Sequence, residues 1–165
     1  MGNSKFKNEP FTDFTDKKNR KAFEKALEEV RARFNKEYPL VIGGEKLYTD
    51  EKLRSYNPSK PEEVIGTFQK ATVEQALHAV ETANAKFEEW KLVSPKKRAE
   101  YLFKAAKIMR KRKHLFSAMM VYEVGKNWAE ADGDTAEAID FMEFYAREML
   151  RYSEEQPLSK LPGEK

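Results

Sequence analysis

Five acidic side chains lie close together between residues 130 and 140. They are Glu130, Asp132, Asp134, Glu137 and Asp140. An Asp-x-Asp spacing can serve Ca²⁺ in an EF-hand loop, but counting from Asp132 the sixth position, where that loop needs glycine, is Glu137. One interpretation is therefore a charged first turn of a helix, favoured by the helix dipole. The other is that one carboxylate faces a ligand, and Glu137 is the candidate because its helix side mixes acidic and apolar residues.

The side chains that usually act as nucleophiles or bases are missing or isolated. The chain contains no cysteine, which excludes disulfides, thiolate metal ligands and a cysteine nucleophile within it. The two histidines, His78 and His114, fall on separate predicted helices, and no Ser/His/Asp arrangement accompanies them. Each is interpreted as a surface or helix-end histidine, although either could in principle act as a base. The sequence thus predicts no catalytic residue and no metal ligand here.

The strongest basic run extends from Arg110 to His114 (RKRKH). On a helix it would place charges all round one turn, whereas binding in a nucleic-acid groove needs them on one side. The run also falls at a predicted helix end, where cations offset the partial negative charge of the last carbonyls. Helix-end stabilisation is the favoured interpretation, and nucleic-acid binding is the alternative.

The first element that would position these residues is an arm followed by a helix, in residues 1–37. The arm is polar with scattered phenylalanines, so it needs a surface to lie on. From Asp16 onward apolar residues recur at helical spacing and predict a helix. Tyr38-Pro39 ends it, because proline disfavours helical backbone in the residue before it.

Residues 38–71 are predicted to form a small antiparallel strand unit. Gly43-Gly44 between two short apolar runs is a hairpin signal; since no helix start follows it, it is not a phosphate-binding loop. Further strands are predicted at 52–56 and 63–69. A unit of this size needs other elements for its stability.

Residues 72–153 are predicted to form four helices, and residues 154–165 a connector. The helix signals are the capping box of Thr72 and Gln75, Ser94-Pro95 at a helix start, Gly125 at a helix end, and an apolar pattern from about Trp128 to Tyr152. The fold class expected from the residues is therefore α+β: an amino-terminal helix and strand unit followed by a four-helix segment.

Composition narrows the class of protein. Charged residues make up 36% of the chain, yet the net charge is only +3, which is weak support for a nucleic-acid or membrane partner. No run of about 18 apolar residues occurs, and the first residues lack the apolar stretch of a secretory signal. A cytoplasmic protein without membrane contact is the resulting expectation.

Six strings of residues together resemble one family. They are residues 8–14 (NEPFTDF), 38–45 (YPLVIGGE), 55–58 (SYNP), 108–113 (IMRKRK), 122–126 (YEVGK) and 134–141 (DTAEAIDF). The chain resembles the bacterial 1-pyrroline-5-carboxylate dehydrogenases of the aldehyde dehydrogenase superfamily, over essentially its whole length. The resemblance implies the first part of an aldehyde dehydrogenase fold, with residues 72–153 in the region of the cofactor domain.

The resemblance also implies a reaction that this chain cannot complete. In that family a cysteine attacks glutamate semialdehyde, the open form of 1-pyrroline-5-carboxylate, and NAD takes the hydride as glutamate forms. Family chains are roughly three times as long, and the nucleophile, the assisting glutamate and the NAD-binding segments would all follow Lys165. This chain is therefore expected to be an amino-terminal portion that is inactive alone, does not bind NAD, and needs the remaining dehydrogenase segments as partners.

One site residue transfers through the resemblance. Glu137 matches a family glutamate that lines the substrate pocket near the amino group of the substrate, a role that suits a carboxylate because it pairs with an ammonium. The alternative function is a stand-alone helical interaction module. The two differ in their surfaces: a dehydrogenase portion would expose apolar helix faces and could self-associate through them.

Overall fold

The computed structural model describes residues 5–154 and 162–163 and confirms the α+β class. Its helices are α1 (Lys17–Arg31), α2 (Val73–Trp90), α3 (Pro95–Lys111), α4 (Lys113–Val124) and α5 (Trp128–Ser153). Its strands are β1 (Lys36–Tyr38), β2 (Leu40–Ile42), β3 (Glu45–Leu47), β4 (Lys52–Asn57) and β5 (Lys60–Gln69). The four-helix segment is present as α2 to α5, whereas most of the predicted connector lies outside the described residues.

The predicted cap residues set the helix ends. The Thr72 side chain accepts a hydrogen bond from the Gln75 amide at 3.2 Å, and the Gln75 side chain accepts one from the Thr72 amide at 2.9 Å. Ser94 caps α3, and Gly125 ends α4 in the left-handed conformation with φ of 73°. These bonds satisfy backbone groups that have no partner inside the helix, so the boundaries follow from local chemistry.

The strand unit differs from the prediction in one pairing. β5 is the central strand of a three-stranded sheet, with β4 antiparallel on one side and β1 parallel on the other, where Lys36 lies opposite Gly66. The β2–β3 hairpin forms a separate sheet, and its turn has φ of 60° at Gly43 and 90° at Gly44, as the glycine pair predicted. The pairings β2–β3 and β4–β5 are antiparallel, as predicted for residues 38–71, whereas the parallel pairing of β1 with β5 was not predicted.

The extra strand exists because α1 ends earlier than expected. The helix stops at Arg31, seven residues before Tyr38, and Asn35 adopts a positive φ of 61°. The Asn35 amide donates to the Val64 carbonyl at 3.1 Å, which directs the chain into β1 beside β5. Asparagine tolerates this backbone conformation better than most residues, so Asn35 rather than the later proline turns the chain.

Three helix contacts form the interior, and α4 lies against both α1 and α5. α1 packs against α4 around the buried side chains of Phe23, Val30 and Ala118, and the rings of Phe14 and Trp128 close this cluster. α3 packs along α5, where small side chains let the two helices approach. The interior side chains of these two helices include Ala99, Ala106, Ala131, Ala136, Ile139 and Ala146.

α2 has the predicted apolar face, but no residue of this helix is buried. Val73 is 72% exposed and Leu77 is 59% exposed, and the larger rings of Phe87 and Trp90 are also exposed. The apolar pattern therefore predicted the helix correctly, while the face it defines stays open among the described residues. None of the described helices combines the length and the apolar character needed to span a bilayer.

Candidate functional site

α5 carries the acidic cluster and holds its members in different surroundings. The helix starts at an Asn127 cap whose side chain accepts from the Glu130 amide at 3.0 Å. Asp132 then falls on the face that packs against α3 and α4, and Glu137, five residues later, is exposed. Five residues correspond to about 140° of rotation on a helix, so the two carboxylates point to different sides.

Asp132 is an anchor for the amino-terminal arm. It is 1% exposed and accepts three hydrogen bonds: from the Thr12 amide at 2.7 Å, from the Thr12 hydroxyl at 2.6 Å and from the Lys113 ammonium at 2.8 Å. Lys113 is itself buried and also donates to the Pro10 carbonyl at 2.9 Å. The carboxylate of Asp132 and the ammonium of Lys113 are thus buried together beneath the arm.

The surroundings of Asp132 lower its pKa. Burial alone would raise the pKa of this carboxyl, but hydrogen bonds from Lys113 and Thr12 to the ionised form, together with the Lys113 charge, outweigh that effect. Asp132 is therefore ionised at neutral pH. Its charge serves the arm contact and is not available to an external ligand.

A second aspartate, Asp140, holds the arm farther along α5. Its two carboxylate oxygens accept from the Asn8 side-chain amide and from the Glu9 backbone amide, both at 2.7 Å. The arm therefore runs antiparallel to α5, with Thr12 opposite Asp132 and Asn8 opposite Asp140. The distances agree, because four residues of extended arm and eight residues of helix both span about 12–13 Å.

The interpretation of the acidic cluster as a charged first turn was correct only in part. Glu130 lies in the first turn of α5, whereas Asp132 and Asp140 bind the arm and Asp134 pairs with Lys126. The described residues contain no group of three side chains arranged to hold a metal ion. Sequence reasoning missed the anchors, since nothing near Asp132 in the chain indicates a partner 120 residues earlier.

Glu137 is the member of the cluster that is left for a ligand. Its side chain is exposed and has no hydrogen bond or ion pair with any other described residue. The next turns of α5 carry exposed aromatic rings: Phe141 and Tyr145 stack at 6.0 Å between centroids, and Phe144 meets Tyr145 edge-on at 5.4 Å. A carboxylate beside aromatic rings can bind a cation, because both groups attract positive charge.

The basic run does not form a single patch. Arg110 pairs with Glu9 at 2.7 Å and Lys113 is buried against Asp132, so two of its cations serve internal contacts. His114 is half-buried beside Phe23, and burial lowers the pKa of its imidazole. His78 is exposed on α2, as expected for a surface histidine. Arg110 lies in the last turn of α3, as the helix-end interpretation requires, and the absence of nucleic-acid binding stays a prediction.

Comparison with known sequences identifies the family. A profile described as "Aldehyde dehydrogenase family" matches residues 46–164, more than half of the chain. The chain belongs to the aldehyde dehydrogenase family. It is 55% identical over 159 residues to a 1-pyrroline-5-carboxylate dehydrogenase of Geobacillus sp. (strain WCH70), covering 96% of this chain and 31% of that relative. It is 51% identical to 1-pyrroline-5-carboxylate dehydrogenase 2 of Bacillus subtilis (strain 168), covering 97% and 31%.

Solved structures of 1-pyrroline-5-carboxylate dehydrogenases also match this aldehyde dehydrogenase chain. A 1-pyrroline-5-carboxylate dehydrogenase from Thermus with bound NAD superposes with a TM-score of 0.90 at 46% identity, covering 99% of this chain and 32% of that one. The Mycobacterium tuberculosis enzyme bound with NAD gives a TM-score of 0.86 at 26% identity, covering 99% and 31%. The chain thus spans about a third of the length of the relatives it matches, and the α+β prediction and the family resemblance are both confirmed.

Proposed function

We propose that this aldehyde dehydrogenase chain forms the amino-terminal part of an enzyme that oxidises 1-pyrroline-5-carboxylate, as its open form glutamate semialdehyde, to glutamate. The observation that carries the proposal is the 55% identity over 159 residues to a protein of that activity. A stand-alone interaction module is not favoured, since the likeness to these dehydrogenases extends over nearly the whole chain.

Glu137 is the residue of this chain that we assign to the substrate. Its charge has no internal partner among the described residues, and it lies at the middle of a helix held rigid by α3 and α4. An unpaired carboxylate on a fixed element suits the ammonium of an amino-acid substrate, because charge-assisted hydrogen bonds are about twice as strong as neutral ones. Its contribution is to orient the substrate and not to react with it.

The chain is proposed to be inactive by itself. Oxidation through a covalent adduct needs a nucleophile that attacks the aldehyde carbon, and in this family that group is a cysteine thiolate. No cysteine is present among the 165 residues. The nucleophile must therefore come from another segment, which makes the remaining dehydrogenase segments the first partner of this chain.

The glycine pair of this chain is not a phosphate-binding loop that would hold NAD. The adjacent glycines Gly43 and Gly44 form a hairpin turn that leads into β3 and not into a helix N-terminus, where a pyrophosphate would bind. NAD accepts hydride in the reaction of the relatives that contain it. In this proposal its binding groups lie outside the chain.

The remaining dehydrogenase segments would also cover surfaces that are open here. The apolar face of α2 and the aromatic rings of Phe141, Phe144 and Tyr145 are exposed, and apolar surfaces of this kind often mark contacts with other segments. In their absence the same faces would favour self-association. Cytoplasmic localisation stays a prediction from the sequence, in line with the absence of a spanning helix among the described ones.

A split-enzyme assay tests the proposal. The chain is mixed with the segment of the Geobacillus relative that follows the matched region, and NADH is recorded with 1-pyrroline-5-carboxylate and NAD. We expect NADH from the mixture and none from the chain alone. Glu137→Gln should raise KM about tenfold, since a hydrogen bond to a charged group contributes about 1.5–3 kcal/mol. Glu130→Gln, an exposed acid on the same helix, is the matched control and should leave KM unchanged.

Two results would contradict the proposal. NADH production by the chain alone would show that no external nucleophile is needed. Equal effects of the Glu137 and Glu130 variants would remove Glu137 from the substrate site, because general loss of negative charge on α5 would then explain both.

A further inference from the structure

The chain has a groove of about 900 Å³ that Glu137 does not line. Its walls are the arm (residues 9–13), one side of α1, and the turn that joins α3 to α4 (residues 110–115). The family profile begins at residue 46, so the arm and α1 lie outside the part of the chain that it matches. Two of the three walls are therefore additions to the common aldehyde dehydrogenase pattern, and the groove has no place in the proposed dehydrogenase chemistry.

The groove carries a surplus of positive charge. The side chains of three of its cations, Lys25, Lys111 and Arg112, make no hydrogen bond or ion pair with another described residue. Its other cations are matched internally, in the pairs Arg33–Glu29, Arg110–Glu9 and Lys113–Asp132. The remaining wall anion is Asp13, whose carboxylate accepts from Thr15. Counting the pairs as neutral, three positive charges face one negative charge.

Two further features concern the wall formed by residues 110–115. The N-cap residue of α4 is Arg112, whose side chain makes no capping hydrogen bond, although side chains cap the other four described helices. His114 lines the same wall, and its Nδ1 is buried without a hydrogen-bond partner. The Nδ1 atom itself is enclosed, so His114 can report on a ligand in the groove but does not bind it through this atom.

We propose that this groove binds a small anion with at least two negative charges, of the diphosphate or di- and tricarboxylate class. The volume lies in the range of small-molecule sites, and the polar lining suits a charged ligand. A long nucleic-acid strand fits less well, because the groove offers only three cations without an internal partner among the described residues, fewer than an extended phosphate backbone usually engages. The cations that would meet the anion are Lys25, Lys111 and Arg112.

The two histidines of the chain allow a site-resolved test by proton NMR. His114 lines the groove and His78 lies on α2, outside it. The chain is titrated separately with inorganic diphosphate and with citrate at pH 7.5 and constant, low ionic strength. We expect saturable shifts of the His114 ring resonances with no change at His78, and a dissociation constant of about 1 mM, because each exposed ion pair contributes little.

Matched charge variants locate the binding. Lys111→Gln with Arg112→Gln should weaken binding at least fivefold, whereas Lys104→Gln with Lys107→Gln, on the exposed side of α3, removes the same charge and should leave it within twofold. Thermal melts confirm that both double variants fold. Saturable binding of only one of the two anions would support the proposal and show which class, diphosphate or carboxylate, the groove binds.

Three outcomes would overturn the proposal. The first is the absence of saturable shifts with either anion. The second is an equal loss of affinity in both double variants, which would show that binding depends only on the net charge of the chain. The third is tighter binding of a single-stranded oligonucleotide than of either small anion, with an affinity that falls steeply with salt, which would make the surface a nucleic-acid interface.

Discussion

Replacement of Asp132 by asparagine is the sharpest probe of how the arm is held. The substitution keeps the size of the side chain but removes the charge that neutralises the buried Lys113 ammonium at 2.8 Å. Breaking a buried ion pair by removing one partner costs about 3–5 kcal/mol, because the remaining charge is left without compensation. An asparagine can still bond to Thr12, and Lys113 keeps the Pro10 carbonyl, so the lower end applies. We expect the free energy of unfolding to fall by about 3 kcal/mol.

Urea and thermal denaturation measure this change directly. For a chain of this size 1 kcal/mol shifts Tm by about 2–4 °C, so Asp132→Asn should lower Tm by roughly 6–12 °C. Asp134→Asn is the matched control: its pair with Lys126 is partly exposed, and such pairs contribute about 0–1 kcal/mol. A loss below about 1 kcal/mol for Asp132→Asn, or equal losses in the two variants, would refute the assignment of Asp132 as a buried anchor.

A double variant separates the charge from the packing. Asp132→Asn combined with Lys113→Met removes both charges and leaves an apolar side chain of similar length in the buried position. Replacement of a whole buried ion pair is often neutral or stabilising, whereas removal of one partner is not. The double variant should therefore be more stable than Asp132→Asn alone, and a further drop in Tm would contradict the charge argument.

Three other predictions concern pH, a turn and an open helix. Burial holds the pKa of His114 below 6.5, so the folded state favours the neutral ring. The free energy of unfolding should therefore fall as the pH drops below 6.5, until the pKa of the folded state is passed. In urea titrations, His114→Gln should flatten this slope. Gly125→Ala should lower Tm more than Gly44→Ala: both have positive φ, but the new methyl group at position 125 would meet Pro58 at 3.0 Å, whereas position 44 is open. Amides of α2 should exchange with solvent faster than those of α5, since no α2 residue is buried, and Thr72→Ala should speed α2 exchange about fivefold through loss of its cap.

The sequence could predict the parts of the fold that rest on local chemistry. The helix starts at Thr72 and Ser94, the helix end at Gly125 and the hairpin at Gly43-Gly44 were all confirmed. Each depends on a hydrogen bond or a backbone angle within a few residues, so the sequence signal falls at the element itself. The Asn35 turn was missed because asparagine only tolerates the left-handed conformation, whereas Pro39, directly after β1, gave a stronger but later signal.

The candidate site shows the same difference between residues that could be predicted from the sequence and residues that could not. The choice of Glu137 over its acidic neighbours came from the mixed acidic and apolar side of its helix and from the family resemblance. The structure leaves its carboxylate without an internal partner among the described residues. The role of Asp132 could not be predicted, because its partner Thr12 lies 120 residues away in the chain. Both are acidic residues on one helix, and only the side of α5 on which each falls decides whether it binds the arm or stays open to a ligand.

The apolar face of α2 shows why a correct helix prediction does not determine burial. The periodicity of apolar residues marks the side of a helix that is buried when another surface covers it. Val73, Leu77 and Phe87 follow this period but remain exposed. The free energy of burying such a face is on the order of 25 cal/mol per Å² of apolar surface, and it is gained only when another surface covers it. α2 therefore contributes less to the stability of this chain than its length suggests. If the chain joins further dehydrogenase segments as we propose, α2 amides should become protected in the split-enzyme mixture, and unchanged exchange there would place its partner elsewhere.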